Sequence, residues 1–216
     1  MAKNIILFGA PGAGKGTLAA KIKGFSPIVH ISTGDLFREN ISKGTPIGKK
    51  AKEFVDAGKL VPDEVVIGMV KERIALDDVK KNGFMLDGFP RTLEQAKALD
   101  AVCKIDRVVV LDIEKDLLKQ RVLGRYTCPK CNKIYNIFNP EFKPKKEGVC
   151  DVDGTALSHR SDDNEATFEK RWSTYLTQSV DVIKYYESKK NLVAHLDAAK
   201  TNSLSVDEMK KVTSLK

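Results

Sequence analysis

The sequence predicts an α/β fold with three layers, α/β/α, in which helices cover both faces of a central parallel sheet of five strands. Apolar runs of four to six residues alternate with segments of helical periodicity, which is typical of strand–helix–strand units with parallel strands. A glycine-rich turn ending in a lysine directly follows the first run and predicts a helix after the first strand. A chain of 216 residues is long enough to bury one full core and to carry insertions.

The strands and the helices between them can be assigned in order. The predicted strands are 4–8, 28–32, 83–86, 107–112 and 192–196. The helices that follow them are predicted at 15–23, 34–42, 63–76, 92–99 and 114–123. Connections between parallel strands of one sheet are almost always right-handed, so we expect that hand here.

The turn after the first strand has the spacing of a phosphate-binding loop. Residues 9–17 read GAPGAGKGT and contain the pattern G-x-x-x-x-G-K. The glycines let successive N–H groups curl around a polyphosphate, Lys15 adds a positive charge, and the N-terminus of the next helix favours an anion. Gly16 stands where the general motif has serine or threonine. The hydroxyl that usually binds magnesium is therefore missing from its usual place, and Thr17 comes one residue later.

The charge of the chain indicates an anionic partner. The net charge is +8, from 29 lysines and eight arginines against 29 acidic residues. Scattered lysines usually form a solvated surface, whereas arginine can hold a phosphate with two parallel hydrogen bonds. Six of the eight arginines occur in motifs described below: Arg38, Arg91, Arg121, Arg125, Arg160 and Arg171.

Two segments interrupt the alternation of strands and helices. Residues 34–81 have only helical patterns, cut by prolines, and predict a small helical insertion. Residues 126–163 are rich in Cys, Lys, Asn, Pro and Gly and have little periodicity. A structureless loop of that length is uncommon in a compact domain, so we expect the cysteines to hold it together.

The cysteines of the second segment have the spacing of a zinc ribbon. Cys128 and Cys131 form one C-x-x-C knuckle. After eighteen intervening residues, Cys150 opens a second one in which Asp153 takes the position of the fourth cysteine. A carboxylate oxygen is an acceptable zinc ligand. Asp151 competes for this role but lacks the knuckle spacing. Four protein ligands leave no open position, so the sequence predicts a structural zinc site.

With these features placed, the chain resembles the adenylate kinase family, in its long-lid, zinc-containing type. The resemblance runs from about residue 5 to residue 200. It rests on several motifs together: GAPGAGKGT at 9–17, STGD at 32–35, DAGKLV at 56–61, LDGFPR at 86–91, GR at 124–125, RSDD at 160–163 and KR at 170–171. It implies a P-loop NTPase-like fold and reversible, magnesium-dependent transfer of a phosphoryl group from ATP to AMP, which gives two ADP.

The resemblance also implies a division into parts and a donor site. The core would comprise 1–32, 82–125 and 163–216, with a helical AMP-binding insertion at 33–62 and a lid at 126–162 that closes over the substrates. The catalytic residues implied are Lys15, Asp87, Arg91, Arg125, Arg160 and Arg171, with Asp87 holding magnesium-bound water. The ATP-binding residues implied are Gly12, Ala13, Gly14, Lys15, Gly16, Thr17, Arg121, Arg125, Ile134, Tyr135 and Lys200. At 197–200 the sequence DAAK has alanines where the family often has glycine, which puts a backbone contact to the ATP base in doubt.

The acceptor site follows from the same resemblance. Arg38 and Arg91 would clamp the AMP phosphate, while Asp162 and Asp163 would either orient the lid arginines or cap the helix that follows. The AMP-binding residues implied are Thr33, Arg38, Lys59, Leu60, Val61, Gly88, Phe89, Pro90, Arg91, Gln95, Arg160 and Arg171.

Other functions remain open at this stage. A nucleoside monophosphate kinase that accepts UMP or CMP is one alternative, although those relatives tend to have alanine where Thr33 stands. A GTP-dependent AMP phosphotransferase is another. A zinc-ribbon module that binds nucleic acid would leave the phosphate loop and the arginines unexplained. We expect a cytoplasmic monomer with no nucleic-acid or membrane partner, because no signal peptide or membrane-length apolar run is evident.

Overall fold

Five parallel strands form the central sheet, as the sequence predicts. The computed structural model describes residues 2–215. The strands of this sheet are β1 (Lys3–Gly9), β2 (Val29–Ser32), β3 (Gly83–Asp87), β4 (Arg107–Asp112) and β8 (Val193–Asp197), and their order across it is β2-β3-β1-β4-β8. Each agrees with a predicted strand to within one residue at either end.

Helices cover both faces of the sheet. They are α1 (Lys15–Lys23), α2 (Thr33–Ser42), α3 (Pro46–Asp56), α4 (Asp63–Ile74), α5 (Asp77–Asn82), α6 (Leu93–Asp100), α7 (Lys115–Leu123), α8 (Glu165–Thr174), α9 (Val180–Glu187) and α10 (Val206–Thr213). A π-helical turn, Tyr175–Ser179, joins α8 to α9. Because side chains alternate along β1, Ile6 and Phe8 belong to the core on one face, and Ile5 and Leu7 to the core on the other. The three-layer architecture is therefore confirmed.

Residues 34–81 contain only helices, again as predicted. Side chains that cap the helix N-termini and a close contact between two helices shape this segment. Ser32 accepts a hydrogen bond from the Asp35 backbone N–H (3.2 Å) and caps α2, and Thr45 does the same for α3 through Gly48 (3.0 Å). A β-carbon on Gly48 would lie 2.1 Å from the carbonyl oxygen of Asn40, so only glycine allows α3 to approach α2 this closely.

The segment at 126–163 contains a small antiparallel sheet that periodicity did not predict. Its strands are β5 (Arg125–Thr127), β6 (Ile134–Asn136) and β7 (Ser158–His159), in the order β6-β5-β7. Each is only two or three residues long, which is too short for an alternating pattern to stand out.

The register of the main sheet fixes the location of the site. Leu7 of β1 pairs with Asp87 of β3, and Ser32 of β2 pairs with the same aspartate. The carboxyl ends of these strands therefore meet, and the phosphate loop, Asp87 and the start of α2 share one edge. Ligands of open parallel sheets bind outside that edge. No helix among residues 2–215 is both long and apolar enough to cross a membrane.

Candidate functional site

The phosphate loop connects β1 to α1 through left-handed glycines. Gly12 and Gly14 have φ of 87° and 93°, which favours glycine. A β-carbon on Gly12 would also lie 2.7 Å from Cγ2 of Val122, so the loop packs directly on α7. Lys15 begins α1, and its Nζ donates to the carbonyls of Gly9 (2.8 Å) and Ala10 (3.0 Å). The ammonium group is thereby held over the loop.

Burial lowers the pKa of Lys15 to about 8, although Asp87 acts in the opposite direction. The Nζ of Lys15 lies 4.0 Å from Oδ1 of Asp87. Three arginines, Arg91, Arg171 and Arg125, add to the lowering by repulsion. The lysine therefore lies among positive charges, and a bound anion would stabilise its protonated form.

Asp87 ends β3 and has a histidine neighbour that the sequence did not indicate. His30 of β2 places its Nε2 3.6 Å from Oδ2 of Asp87. Burial acts to raise the pKa of this carboxyl, but His30 and Lys15 outweigh it and hold the pKa below its usual value. Asp87 is therefore ionised at neutral pH. A single histidine on a strand has no motif, so no sequence signal identified it.

Five arginines converge above the phosphate loop, and we call them the arginine ring: Arg38, Arg91, Arg125, Arg160 and Arg171. They come from α2, the turn after β3, β5, the end of the 126–163 segment and α8. Burial and the neighbouring Arg171 lower the pKa of Arg91 to about 10. Burial together with Arg125 and Arg38 does the same for Arg160. Such a concentration of buried cations favours a polyanion.

Carboxylates orient most of this ring. Asp163 accepts from Nε of Arg125 (2.7 Å) and pairs with its terminal nitrogen as well, while Asp162 accepts from Arg171 (2.8 Å). Asn164, not either aspartate, caps α8 through the Thr167 backbone N–H (2.9 Å). The capping interpretation of the two aspartates is therefore wrong, and they lie against the arginines.

Arg91 is the exception within the ring. Its Nε donates to the carbonyl of Gly88 (2.7 Å), and among residues 2–215 no carboxylate lies within 4.0 Å of its guanidinium. Gln95 accepts a hydrogen bond from the Arg91 backbone N–H (2.8 Å), which fixes the turn that carries it. The terminal nitrogens of Arg91 are thus the most available for a phosphate.

A large cavity of about 230 Å³ lies between the phosphate loop, the arginine ring and the 126–163 segment. Its lining includes most residues predicted for the donor: Gly12, Gly14, Lys15, Gly16, Thr17, Arg121, Arg125, Ile134 and Tyr135. Two predicted residues are not part of it. Ala13 is buried in the core. The side chain of Lys200 is 74% exposed, and its Nζ lies 3.7 Å from Oδ2 of Asp197.

One wall of the large cavity contains residues that the sequence analysis missed. Asn139, Phe142, Thr201 and Asn202 line it beside Arg121. The two terminal nitrogens of Arg121 donate to the carbonyl of Ala198 (3.2 and 3.3 Å), which joins α7 to the segment after β8. These residues lie in non-periodic turns, where no sequence signal distinguished them from ordinary loops.

A small cavity of about 60 Å³ adjoins the large one. It brings together nine residues predicted for the acceptor: Thr33, Arg38, Lys59, Leu60, Val61, Gly88, Arg91, Gln95 and Arg171. The remaining three, Phe89, Pro90 and Arg160, line the large cavity. Arg38, Arg91 and Arg171 line both cavities and therefore lie at their junction.

Hydrogen bonds hold the small cavity in shape. The Thr33 hydroxyl donates to the carbonyl of Gly88 (2.9 Å), which links α2 to the turn after β3. The side-chain amide of Gln95 donates to Asp63 (2.8 Å), and the Thr92 hydroxyl donates to the same carboxylate (2.6 Å). Gln95 is therefore already oriented by the protein on both its amide nitrogen and its oxygen.

The cysteine knuckles come together as the spacing predicts. One ligand atom each from Cys128, Cys131, Cys150 and Asp153 lies within 4.8 Å of all the others. The Sγ atoms of Cys131 and Cys150 are 3.6 Å apart, and none of the cysteines is in a disulfide. Asp151 points elsewhere and accepts from the Lys145 backbone N–H (2.9 Å). Three sulfurs and one carboxylate oxygen at this spacing fit tetrahedral zinc.

Tyr135 of β6 contacts this cluster, and its neighbour in the same strand faces the phosphate loop. Its hydroxyl donates to Sγ of Cys150 (3.4 Å) and accepts from the Asp151 backbone N–H (2.7 Å). The next residue toward the N-terminus, Ile134, points the other way, and its Cδ1 lies 3.9 Å from a β-carbon built on Gly16. Neighbouring residues of β6 thus contact the cluster and the phosphate loop.

The segment at 126–163 also approaches the helical insertion. Arg160 lies 3.9 Å from Asp35 of α2, and Asp35 in turn pairs with Arg38 at 2.5 Å. Burial acts to raise the pKa of Asp35, but the two arginines hold it below its usual value. One carboxylate therefore bridges an arginine from each side of the large cavity.

Comparison with known proteins gives the family to which this geometry belongs. A family model described as "Adenylate kinase" matches residues 7–191. Curated proteins with the name adenylate kinase are 48% identical in Staphylococcus aureus (strain Mu50) and 47% identical in Staphylococcus epidermidis (strain RP62A). Each match spans 203 residues, 91% of this chain and 92% of the relative. The chain belongs to the adenylate kinase family. Within that family, the cysteine cluster supports assignment to the long-lid, zinc-containing type.

Membership of the adenylate kinase family makes the chain a phosphotransferase of the nucleoside monophosphate kinase class. The matched range includes the phosphate loop from Leu7 onward, the complete arginine ring and the cysteine cluster. The geometry described above therefore belongs to a nucleotide-dependent kinase.

Proposed function

We propose that the protein catalyses reversible, magnesium-dependent transfer of the γ-phosphoryl group of ATP to AMP, which gives two ADP. The observation that carries this proposal is that Arg38, Arg91 and Arg171 line both the large and the small cavity. A phosphoryl group that passes between two nucleotides would cross the junction where these arginines lie.

The donor would occupy the large cavity with its phosphates on the phosphate loop. Backbone N–H groups of 12–17 would surround the β- and γ-phosphates, and Lys15 would leave the carbonyls of Gly9 and Ala10 to reach them. The adenine would lie toward Arg121, between the lid and the segment after β8. The exposed side chain of Lys200 gives no support to a side-chain contact there.

The acceptor would occupy the small cavity with its phosphate at the junction. Arg38 and Arg91 would hold that phosphate, because Arg91 has no carboxylate partner among residues 2–215 and the partner of Arg38 is exposed. The adenine would lie against Thr33, the turn 59–61 and Gln95.

The transfer itself needs position and charge more than covalent chemistry. An oxygen of the AMP phosphate attacks the γ-phosphorus of ATP, a new P–O bond forms, and the bond from the γ-phosphorus to the β–γ bridging oxygen breaks. Charge on the transferred group spreads over its oxygens, where Lys15, Arg91, Arg125, Arg160 and Arg171 would stabilise it. The ion pairs with Asp162 and Asp163 hold two of these arginines in place beforehand.

Asp87 and Thr17 fit a magnesium ion that arrives with ATP. Asp87 is ionised and lies beside the phosphate loop, and Thr17 lines the same cavity, so both offer oxygen ligands. Bound magnesium would neutralise charge on the donor phosphates. Because Gly16 has no hydroxyl, we propose that Asp87 is the main protein group that positions the ion through its water.

We propose that Cys128, Cys131, Cys150 and Asp153 bind one structural zinc ion in a lid formed by 126–162. The cluster links the knuckle at 128–131 to the knuckle at 150–153. The lid would close over ATP, and the insertion 33–62 over AMP, which excludes water that would otherwise accept the phosphoryl group. The remaining ranges 1–32, 82–125 and 163–216 would form the core.

We also propose that the protein acts as a cytoplasmic monomer whose partners are ATP, AMP and ADP. Both cavities are lined by residues of a single chain, so no second copy is needed to complete the site.

An acceptor and donor panel tests this function. With ATP and magnesium, AMP should be the preferred acceptor over UMP, CMP and GMP, and ATP should be preferred over GTP as the donor. Preference for UMP or CMP would assign the chain to another nucleoside monophosphate kinase. Preference for GTP would make it a GTP-dependent AMP phosphotransferase. Oligonucleotide binding without turnover would favour the nucleic-acid module.

A further inference from the structure

The wall of the large cavity beside Arg121 is held by a lysine on the phosphate-loop helix. Lys21 of α1 is half-buried, and its Nζ donates to the carbonyl of Thr201 (3.1 Å) and to the carbonyl of Asn202. Both of these residues line the large cavity. The lysine itself does not line it, so it acts on the cavity only through the backbone that it holds.

The segment 198–202 is held by local hydrogen bonds, such as that from the Thr201 hydroxyl to the carbonyl of Ala198 (3.0 Å), and by two cations from elsewhere in the fold. It forms one short 3₁₀ turn, Ala198–Lys200, and two cations hold its carbonyls from outside: Arg121 holds Ala198, and Lys21 holds Thr201 and Asn202. Hydrogen bonds from a charged donor are stronger than those between neutral groups. Removal of one donor leaves two carbonyls without these bonds, so this part of the wall should become less ordered.

The same segment also touches the lid. The side-chain amide of Asn202 lies 3.4 Å from the carboxylate of Glu141, which belongs to a short turn of the lid. Lys21 therefore fixes the core side of a contact between core and lid. Lys21 belongs to the helix that begins at Lys15, the residue proposed to bind the donor phosphates. Six residues at 1.5 Å each place the two lysines about 9 Å apart along the helix axis.

We propose that Lys21 is a positioning residue for the base of the donor nucleotide: it anchors the backbone of Thr201 and Asn202 to the helix that binds the phosphates. This inference rests on the proposed function, because it assigns the large cavity to the donor. It places no contact between Lys21 and the nucleotide. The acceptor lies in the small cavity, which neither Thr201 nor Asn202 lines.

The test is the substitution Lys21→Met, which keeps the length of the side chain and removes its charge and donors. KM for ATP should rise about tenfold, while KM for AMP and kcat stay within about twofold. The preference for ATP over GTP should shrink as well, because a disordered wall distinguishes bases less well. Lys21→Arg, which restores a cation with several donors, should recover most of the affinity for ATP.

The matched control is Lys23→Met, two residues further along the same helix, where the side chain is exposed. It should leave all kinetic constants unchanged. A merely structural role of Lys21 would lower the melting temperature without separating KM for ATP from KM for AMP. An unchanged KM for ATP in Lys21→Met, or an equal rise for both substrates, would overturn the inference.

Folding failure and functional failure can be told apart. If Lys21→Met does not fold, Lys21→Gln, which keeps one donor, takes its place in the same comparison. If neither variant folds, the contact serves stability and the inference is overturned. If the unmodified protein does not convert ATP and AMP, the proposed function falls. In that case, calorimetry with ATP alone compares the Kd for ATP of Lys21→Met with that of the unmodified protein. An unchanged Kd would overturn the role of Lys21 in the large cavity.

Discussion

Arg91 has the position and the freedom that an acceptor clamp needs. It lies at the junction of the two cavities, and a backbone carbonyl, not a carboxylate, orients its Nε. Burial and repulsion from Arg171 both lower the pKa of its guanidinium, so a bound phosphate would stabilise the charged form.

Arg91→Ala should therefore lower kcat/KM by about 10³-fold, the scale found for an arginine that stabilises the transferred group. The melting temperature should change little, because no ion pair is lost. Steady-state kinetics and a thermal melt on the same preparation measure both. Arg73→Ala is the control, since Arg73 near the end of α4 pairs with Asp78 of α5 and lines neither cavity. Near-normal turnover in Arg91→Ala would contradict the clamp role.

Lys15 links nucleotide binding to pH. Its pKa of about 8 lies below the usual value, so the free protein loses this charge as the pH rises through 8. A bound polyphosphate raises the pKa again, and binding above pH 8 should take up a proton. Affinity for ATP should then fall with rising pH, by up to about tenfold per unit.

Calorimetry of ATP binding at pH 8.5 in two buffers with different ionisation enthalpies measures that proton. The expected result is proton uptake that is absent in Lys15→Met. Binding with no net proton uptake in the unmodified protein would show that Lys15 is already charged in the free state.

The hydroxyl of Tyr135 is expected to strengthen metal binding by orienting the ligand Cys150. It holds Cys150 and the Asp151 backbone, and loss of such a contact typically weakens metal binding about 10- to 100-fold. Tyr135→Phe should release zinc faster to a chromogenic chelator, and the absorption bands of the cobalt-substituted protein should shift. Tyr126→Phe is the control within the same segment, because its ring packs on His159. Equal release rates from both variants would contradict this role.

At the scale of elements, the sequence predicts the main sheet well and the lid sheet poorly. Buried strands such as β4 are continuous apolar runs, and α1 begins where the phosphate loop ends, so both have strong local signals. The strands β5 and β6 form a hairpin of very short strands around the first knuckle, and only the pairing of β5 with β7, such as Thr127 with Ser158, is long-range. Thr201, in the wall of the large cavity beside Arg121, has no sequence signal because tertiary contacts place it there.

The proposed lid should depend on the proposed zinc ion more than the core does. Its apolar cluster is small, formed by Cys128, Tyr135 and Cys150 with Tyr126 and Leu157 packed against it. The core has two extensive clusters, one on each face of the sheet. Binding energy at a structural zinc site is folding energy for the segment that carries it.

Removal of zinc with a chelator should thus raise the rate of proteolytic cleavage within 126–162 about tenfold, while the core stays resistant. Limited proteolysis followed by mass spectrometry locates the cuts. Cys103→Ser, outside the cluster, should behave like the unmodified protein. A lid that resists cleavage equally with and without chelator, in protein shown to contain zinc beforehand, would contradict the structural role.

At the scale of the whole molecule, the proposed transfer requires both cavities, which share Arg38, Arg91 and Arg171. Phosphate loop, arginine ring and lid come from distant parts of the chain, and the carboxyl ends of β1, β2 and β3 bring them to one edge. The motifs identified these parts individually. The sharing of arginines between the cavities, the His30–Asp87 contact and the Asp35 bridge between Arg38 and Arg160 emerge only from the fold.

We propose that one chain transfers a phosphoryl group between two bound nucleotides without loss to water. The most direct measurement is the ratio of ADP formed to ATP consumed in magnesium buffer, by ³¹P NMR, with and without AMP. Metal content is determined on the same sample. Two ADP should form for each ATP consumed when AMP is present, and neither inorganic phosphate nor ADP should form when AMP is absent. Equal consumption of ATP without AMP, with release of inorganic phosphate, would contradict it.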